Sequence, residues 1–217
     1  QDEMGQTMSR FSYTLDDDGN ATITGCNNIT SSLVIPGEID GHTVIVIGEQ
    51  AFYSATNLVS VTIPDSVTSI QGNAFMNCTK LASVEIPDSV TSIDYQAFSG
   101  CTKLASVNLP ANLTTLWSNA FRNCTSLTEI NIPASLNEVD NPFNGCTNLK
   151  TIHFEDGITK IPDDLFAFCS GITEIVIPDT VTTIGEQAFY SATNLVSVTI
   201  PDSVTSIQGN AFMNCTK

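Results

Sequence analysis

The chain has 217 residues, 41% of them hydrophobic, and its 23 acidic against 7 basic side chains leave a net charge of −16. Charge of that sign repels nucleic acid and anionic lipid surfaces, which argues against both as partners. No run approaches the roughly 18 apolar residues of a membrane helix, so no membrane insertion is expected in this segment. The first residue is Gln1, with neither a Met nor an apolar leader, and it reads as the start of a processed or cloned fragment.

Residues 1–10 are polar and featureless and read as a flexible N-terminal tail. Residues 11–32 follow as a β-hairpin cap: Phe11, Tyr13 and Leu15 alternate, Asp16-Asp17-Asp18-Gly19-Asn20 makes a turn, and Ala21 and Ile23 resume the alternation. A cap is needed because the open end of a stacked array exposes apolar core and an unpaired strand edge.

Residues 33–217 are a repeat array. Phenylalanines recur at Phe52, Phe75, Phe98, Phe121, Phe143, Phe166, Phe189 and Phe212, a spacing of 23 residues with one step of 22. A block of 33 residues, Gly48 to Lys80, returns unchanged as Gly185 to Lys217. Such a period is one supersecondary unit that cannot bury its apolar side alone and must stack on its neighbours. The expected fold is a solenoid of about eight coils.

One unit shows the construction. Val61 and Ile63 alternate as a short strand, Pro64 ends it, and Asp65-Ser66 turns the chain. Val67 and Ile70 line a second extended side, while Ala74, Phe75 and Cys78 stand at helical spacing and predict a short helix or a 3₁₀ turn.

The unit Cys-Thr-Lys-Leu-x-Ser-Val-x-Ile-Pro-Asp-Ser-Val-Thr-Ser-Ile-x-x-x-Ala-Phe, as it stands in Cys78 to Phe98, resembles the leucine-rich repeat of the BspA or Treponema pallidum type. The opening Leu33 to Gly48, five residues longer than later repeats, is similar to the first repeat of that family. The resemblance implies a right-handed coil with a parallel β-sheet face. It further implies an extracellular or cell-surface protein of a host-associated bacterium or mucosal protist, adhering to host matrix or microbial surface proteins. The repeat consensus encodes the coil and not the ligand.

Residues that suggest chemistry have plainer readings. Six of the seven cysteines (Cys78, Cys101, Cys124, Cys146, Cys169 and Cys215) stand three after a phenylalanine, where Ala55 and Ala192 also occur. They read as buried thiols at a small packing position, with disulfides the alternative; Cys26 lies outside the ladder. No Cys-x-x-Cys cluster suggests a metal. Asp16 to Asn27 begins like a calcium loop, but Ala21 replaces the required Gly and Asn27 the bidentate carboxylate, so a hairpin turn is preferred. Asp65, Asp88, Asp179 and Asp202 recur after Pro as ordinary turn residues, with cations along that edge the alternative. The two histidines, His42 and His153, have no cysteine or serine arranged for nucleophilic attack. Neither enzyme activity nor a cofactor is expected.

Binding surfaces remain. The outward strand positions, among them Glu85, Asn108, Glu129, Asn131, His153 and Glu174, are expected to form one continuous polar face. Tyr95 and Trp117 in neighbouring repeats, with Arg122 beside them, form a second candidate, because the coil does not require an aromatic there. The sequence stops mid-repeat at Lys217, leaving Val204, Ile207 and Phe212 without a following coil. A truncated array or end-to-end self-association is expected. Two functions stay open, an adhesion module and a passive spacer.

Overall fold

The computed structural model describes residues 10–217, so the tail expected over 1–10 falls, apart from Arg10, outside the described residues. Each Phe of the 23-residue series marks one of eight coils. Coils 1 to 4 carry β3 (Ser32–Val34) with β5 (His42–Ile47), β6 (Ser60–Thr62) with β7 (Ser69–Ile70), β8 (Ser83–Glu85) with β9 (Ser92–Ile93), and β10 (Thr115–Leu116) alone. Coils 5 to 8 carry β11 (Glu129–Ile132) with β12 (Glu138–Val139), β13 (Thr151–Phe154) with β14 (Lys160–Ile161), β15 (Glu174–Val176) with β16 (Thr183–Ile184), and β17 (Ser197–Thr199) with β18 (Ser206–Ile207). All pairing between these coils is parallel and in register, as in Ser60↔Ser83, Val61↔Val84 and Thr62↔Glu85.

The cap is a hairpin of β1 (Phe11–Leu15) and β2 (Ala21–Cys26), and β2 runs parallel to β5 so that the cap extends the second face of the solenoid. The Asp16 carboxylate accepts bonds from the backbone N–H of Asp18 and Asn20 at 3.0 and 2.8 Å, which makes this segment a self-satisfied turn. The insertion of the first repeat folds as a small hairpin of β4 (Glu38–Ile39) on β5, with Asp40 and Gly41 at φ 52° and 83°. It ties down the cap: Tyr13 donates to Asp40 Oδ2 at 2.7 Å, and His42 Nδ1 lies 2.8 Å from the Gly19 carbonyl.

The eight phenylalanines at this spacing form one row, buried in coils 1 to 7 and half-buried at Phe212. Ring centroids stand 5.1 Å apart between coils 1, 2 and 3, with planes within 6° of parallel. Around them lie the inward Leu, Val and Ile of both faces, among them Leu58, Val67, Ile70, Leu81, Val90 and Ile93, all fully buried. Stacking like upon like keeps every coil the same size, so each neighbour covers the apolar surface a single coil leaves open.

Of the short helix and the 3₁₀ turn expected on the third side, the structure takes tight turns. No helix forms there; the chain makes consecutive tight turns in which successive amides alternate between partners. In coil 2 the N–H groups of Asn73, Phe75 and Asn77 donate to coil 3 at 3.0, 2.7 and 2.8 Å, while those of Ala74, Met76 and Cys78 donate back within the coil. This requires positive φ at two fixed places, two residues before and two after each Phe, as at Asn73 (58°) and Asn77 (59°). Asn tolerates that region because its short amide adds little crowding. The side is therefore a third ladder between coils and not a helical cover.

The ladders break near the middle. The second face is one sheet from the cap through β12 and a separate one over β14, β16 and β18. Coil 5 carries the 22-residue step and has Pro142, which lacks an amide hydrogen, before its Phe. Ring separation in the row widens there, to 5.8 Å for Phe121–Phe143 and 6.2 Å for Phe143–Phe166. Coils 5 and 6 remain joined on the first face by β11 and β13.

Candidate functional site

The first face is not the uninterrupted sheet its sequence pattern predicts. It is divided into β3-β6-β8, β11-β13 and β15-β17, and coil 4 contributes no strand to it. Asn131 accounts for part of the division. Its side-chain Oδ1 accepts from the Leu109 N–H at 2.8 Å and its Nδ2 donates to the Leu109 carbonyl at 3.0 Å, so an amide side chain satisfies the backbone that a strand would otherwise pair. The same Nδ2 reaches Glu155 at 3.1 Å. Asn131, read as an outward residue, is half-buried, and its amide holds coil 4 against coil 5.

The other candidates on this face are exposed. Glu85 and Asn108 border a shallow depression of about 290 Å³, floored by Val84 and Ile86, where the missing strand of coil 4 leaves room. Glu129 and His153 are joined at 3.0 Å between Oε2 and Nε2, with more than half of each side chain in solvent. An ion pair so exposed contributes under about 1 kcal/mol and requires protonated His153. Glu174 lies across from Ser197 in register, and beside it Val176 is 67% exposed.

The structure separates the aromatic candidates. Tyr95 leans back over two coils: its ring covers Gly72, where a Cβ would stand 2.3 Å from Tyr95 Cζ, and its hydroxyl donates to Glu49. That bond and burial raise the Tyr95 hydroxyl pKa above its ordinary value. Trp117, in coil 4, is 39% exposed, and Arg122 is exposed on the same side. Trp117 and Tyr95 make no ring contact among the described residues. The ring pair that does form sets exposed Phe168 edge-on against half-buried Tyr190, at 5.4 Å and 78°. Sequence reading passed over Phe168, although a signal exists: its place, two after Phe166, is otherwise held by Ser, Asn or Gly. Four residues before Phe168, burial and the neighbouring carboxylates of Asp140, Asp163 and Glu186 push Asp164 up to about 6.

The ladder cysteines are free thiols. Each donates to the phenylalanine carbonyl of the preceding coil, as in Cys78 to Phe52 and Cys101 to Phe75, both 3.2 Å. The position thus selects a small side chain with a weak donor, and Ala fits where the donor is dispensed with. Burial pushes Cys78 up to about 11 and raises Cys101 and Cys169; at Cys124 the bond with Cys146 is the main cause of the rise and burial adds to it. Thiols held neutral in this way are poor nucleophiles.

Comparison with known proteins agrees with this architecture. The family described as BspA type leucine rich repeat region matches residues 19–142 and 140–217 in six copies, the two stretches meeting where the second face breaks. A leucine rich cell surface protein from Faecalibacterium prausnitzii A2-165 is 31% identical, with a TM-score of 0.74 over 95% of this chain, which spans 55% of that protein. The leucine rich repeat protein of T. pallidum is 28% identical, with a TM-score of 0.66, covering 97% of this chain and 89% of its own. The pneumococcal vaccine antigen PcpA, 18% identical with a TM-score of 0.56 over 94% of this chain and 66% of its own, shares the fold. Among curated proteins none matches. With a 23-residue period, stacked phenylalanines and parallel coils, the chain belongs to the BspA-type leucine-rich repeat family.

Proposed function

We propose that this chain is a non-enzymatic protein-binding module, displayed at a cell surface or secreted, that mediates adhesion to host matrix or microbial surface proteins. The observation that carries this reading is the division of labour in the coil. Inward positions and turn amides build the stack, while Glu85, Asn108, Glu129, His153 and Glu174 stand in solvent on one face, where stability does not demand their identity. The cell-surface protein of F. prausnitzii supports the location. The test is titration of immobilised matrix proteins and co-resident surface proteins with the parent chain and with a Glu85→Ala, Glu129→Ala, Glu174→Ala variant. Saturable binding weakened by the triple change supports the reading; binding that ignores it overturns this assignment of the face.

The passive spacer is favoured by one observation, the small polar side chains at Ser60, Thr62, Ser83, Ser197 and Thr199 of that face, which offer little to grip. A spacer predicts no saturable binding in the same titration. End-to-end self-association is a further part of the proposal. Val196, Val198, Ile200 and Phe212 line an apolar depression of about 310 Å³ on coil 8. Light scattering should show a dimer that Val196→Glu dissolves, and a strict monomer at every concentration rejects it.

A further inference from the structure

The position two residues after each stacked phenylalanine has positive φ in all eight coils, and seven of its occupants are Ser, Asn or Gly. The eighth is Phe168, at φ 62°. A bulky side chain is disfavoured in the left-handed region, so coil 6 holds strain that its neighbours avoid. Packing does not account for it. The core row continues beneath through Phe166 and Phe189, both fully buried, while the Phe168 ring is 40% exposed and rests edge-on against Tyr190.

The same turn side of coils 6 and 7 carries carboxylates, with the Asp164 N–H on the Glu186 carbonyl at 2.9 Å and the Phe168 N–H on the Tyr190 carbonyl at 2.7 Å. Asp164 stands four residues earlier on the same turn side, and its electrostatic neighbours are Asp140, Asp163 and Glu186. Lys160 pairs with Asp163 at 3.2 Å and offsets one of the four. A strained, exposed aromatic sharing one turn side with carboxylates matches the requirements of a cation, which the ring attracts through its quadrupole and the carboxylates through charge-assisted bonds.

We infer that Phe168 and Tyr190, with the carboxylates of Asp164 and Glu186, form a docking surface for a protein segment presenting arginine or lysine. Electrostatic complementarity identifies the partner's chemistry, because a chain of net charge −16 steers basic segments toward it. The inference rests on the reading of the chain as a binding module, but it concerns a different side of the coil.

The duplicated block supplies its own control, since Tyr53 is the twin of Tyr190 but the hairpin cap, and not a coil with a Phe168 equivalent, precedes it. The probe is a fluorescently labelled hexa-arginine peptide, followed by anisotropy at about 0.15 M salt, where long-range attraction is screened. Phe168→Asn and Tyr190→Ser should each weaken binding about tenfold, while Tyr53→Ser stays within about twofold of the parent. Asn suits positive φ, so Phe168→Asn should melt within about 2 °C of the parent or above it. Absence of peptide binding, equal effects of the two tyrosine changes, or Phe168→Asn binding like the parent would overturn the inference. A melting loss beyond about 6 °C would do so too, by showing that the ring is structural. These outcomes leave the titration of the Glu85, Glu129, Glu174 variant unaffected, so the two surfaces fail independently.

Discussion

The two copies of the 33-residue block share every residue and, at their positive-φ turns, nearly the same φ, yet they do not share burial. Asn73 and Asn210 have φ of 58° and 60°, and Asn77 and Asn214 have 59° and 62°. Ile70, covered by coil 3, is fully buried; its twin Ile207 is 51% exposed. Phe75 and Cys78 are buried, whereas Phe212 and Cys215 are half-buried. Gly72 lies under the Tyr95 ring, and Gly209 meets nothing within 4 Å. The shape of a coil is thus written locally, in turn residues and Pro, but the free energy of burial depends on the neighbour.

Substituting twins breaks the comparison most directly. Phe75→Ala opens a cavity in the row and should cost about 3–5 kcal/mol in denaturant unfolding, against about 1 for Phe212→Ala, which leaves a half-exposed site. Ile70→Ala should cost about 2–4 kcal/mol and Ile207→Ala under about 0.5. Equal costs within either pair would mean that burial by the next coil is not what the residue contributes.

Alkaline titration gives a smaller and graded difference. The folded protein holds the Cys78 proton up to about 11, whereas the unfolded chain releases it near 9.0. The raised folded pKa therefore favours folding at full strength below about pH 9, and stability declines as pH rises toward 11, by about 1.4 kcal/mol per unit for this thiol. Cys78→Ala should flatten the decline more than Cys215→Ala does, because Cys215 is half in solvent. Unfolding free energies from pH 8 to 10.5 would show it. The smallest effect belongs to glycine. Gly209→Ala should stabilise by about 0.4–1 kcal/mol through the unfolded chain. Gly72→Ala should lose that gain, because its Cβ must push the Tyr95 ring away from Glu49. Melting temperatures of the two variants give the sign.

Much of the fold was legible because stacking imposes a strict period on buried positions. Phe52 through Phe212 fall in a row as their spacing requires, and the strand ends before Pro64 and Pro201 follow from a missing amide hydrogen. On the third side helix and turn stay open in the sequence, because Ala74, Phe75 and Cys78 fit both. The discriminating residues are those with positive φ on either side of each Phe of the row, mostly Asn, Gln, Ser and Gly. The break at Asn131 was out of reach, since nothing in a sequence tells whether an outward amide turns to bond backbone in the coil before it. Tyr95 was visible as an exception to the repeat, but its direction depends on Gly72, 23 residues earlier. Phe168 was visible in the same way, once the conformation of its position is known.

The claim that stability resides between coils is tested most directly by residue-resolved amide exchange in the two copies, whose intrinsic rates match because their sequences do. In the first copy the amides of Asn73, Phe75 and Asn77 donate to coil 3. They should exchange at least about 100-fold more slowly than those of Asn210, Phe212 and Asn214. Equal protection in both copies would contradict the account, because the block would then hold its own structure without a neighbour.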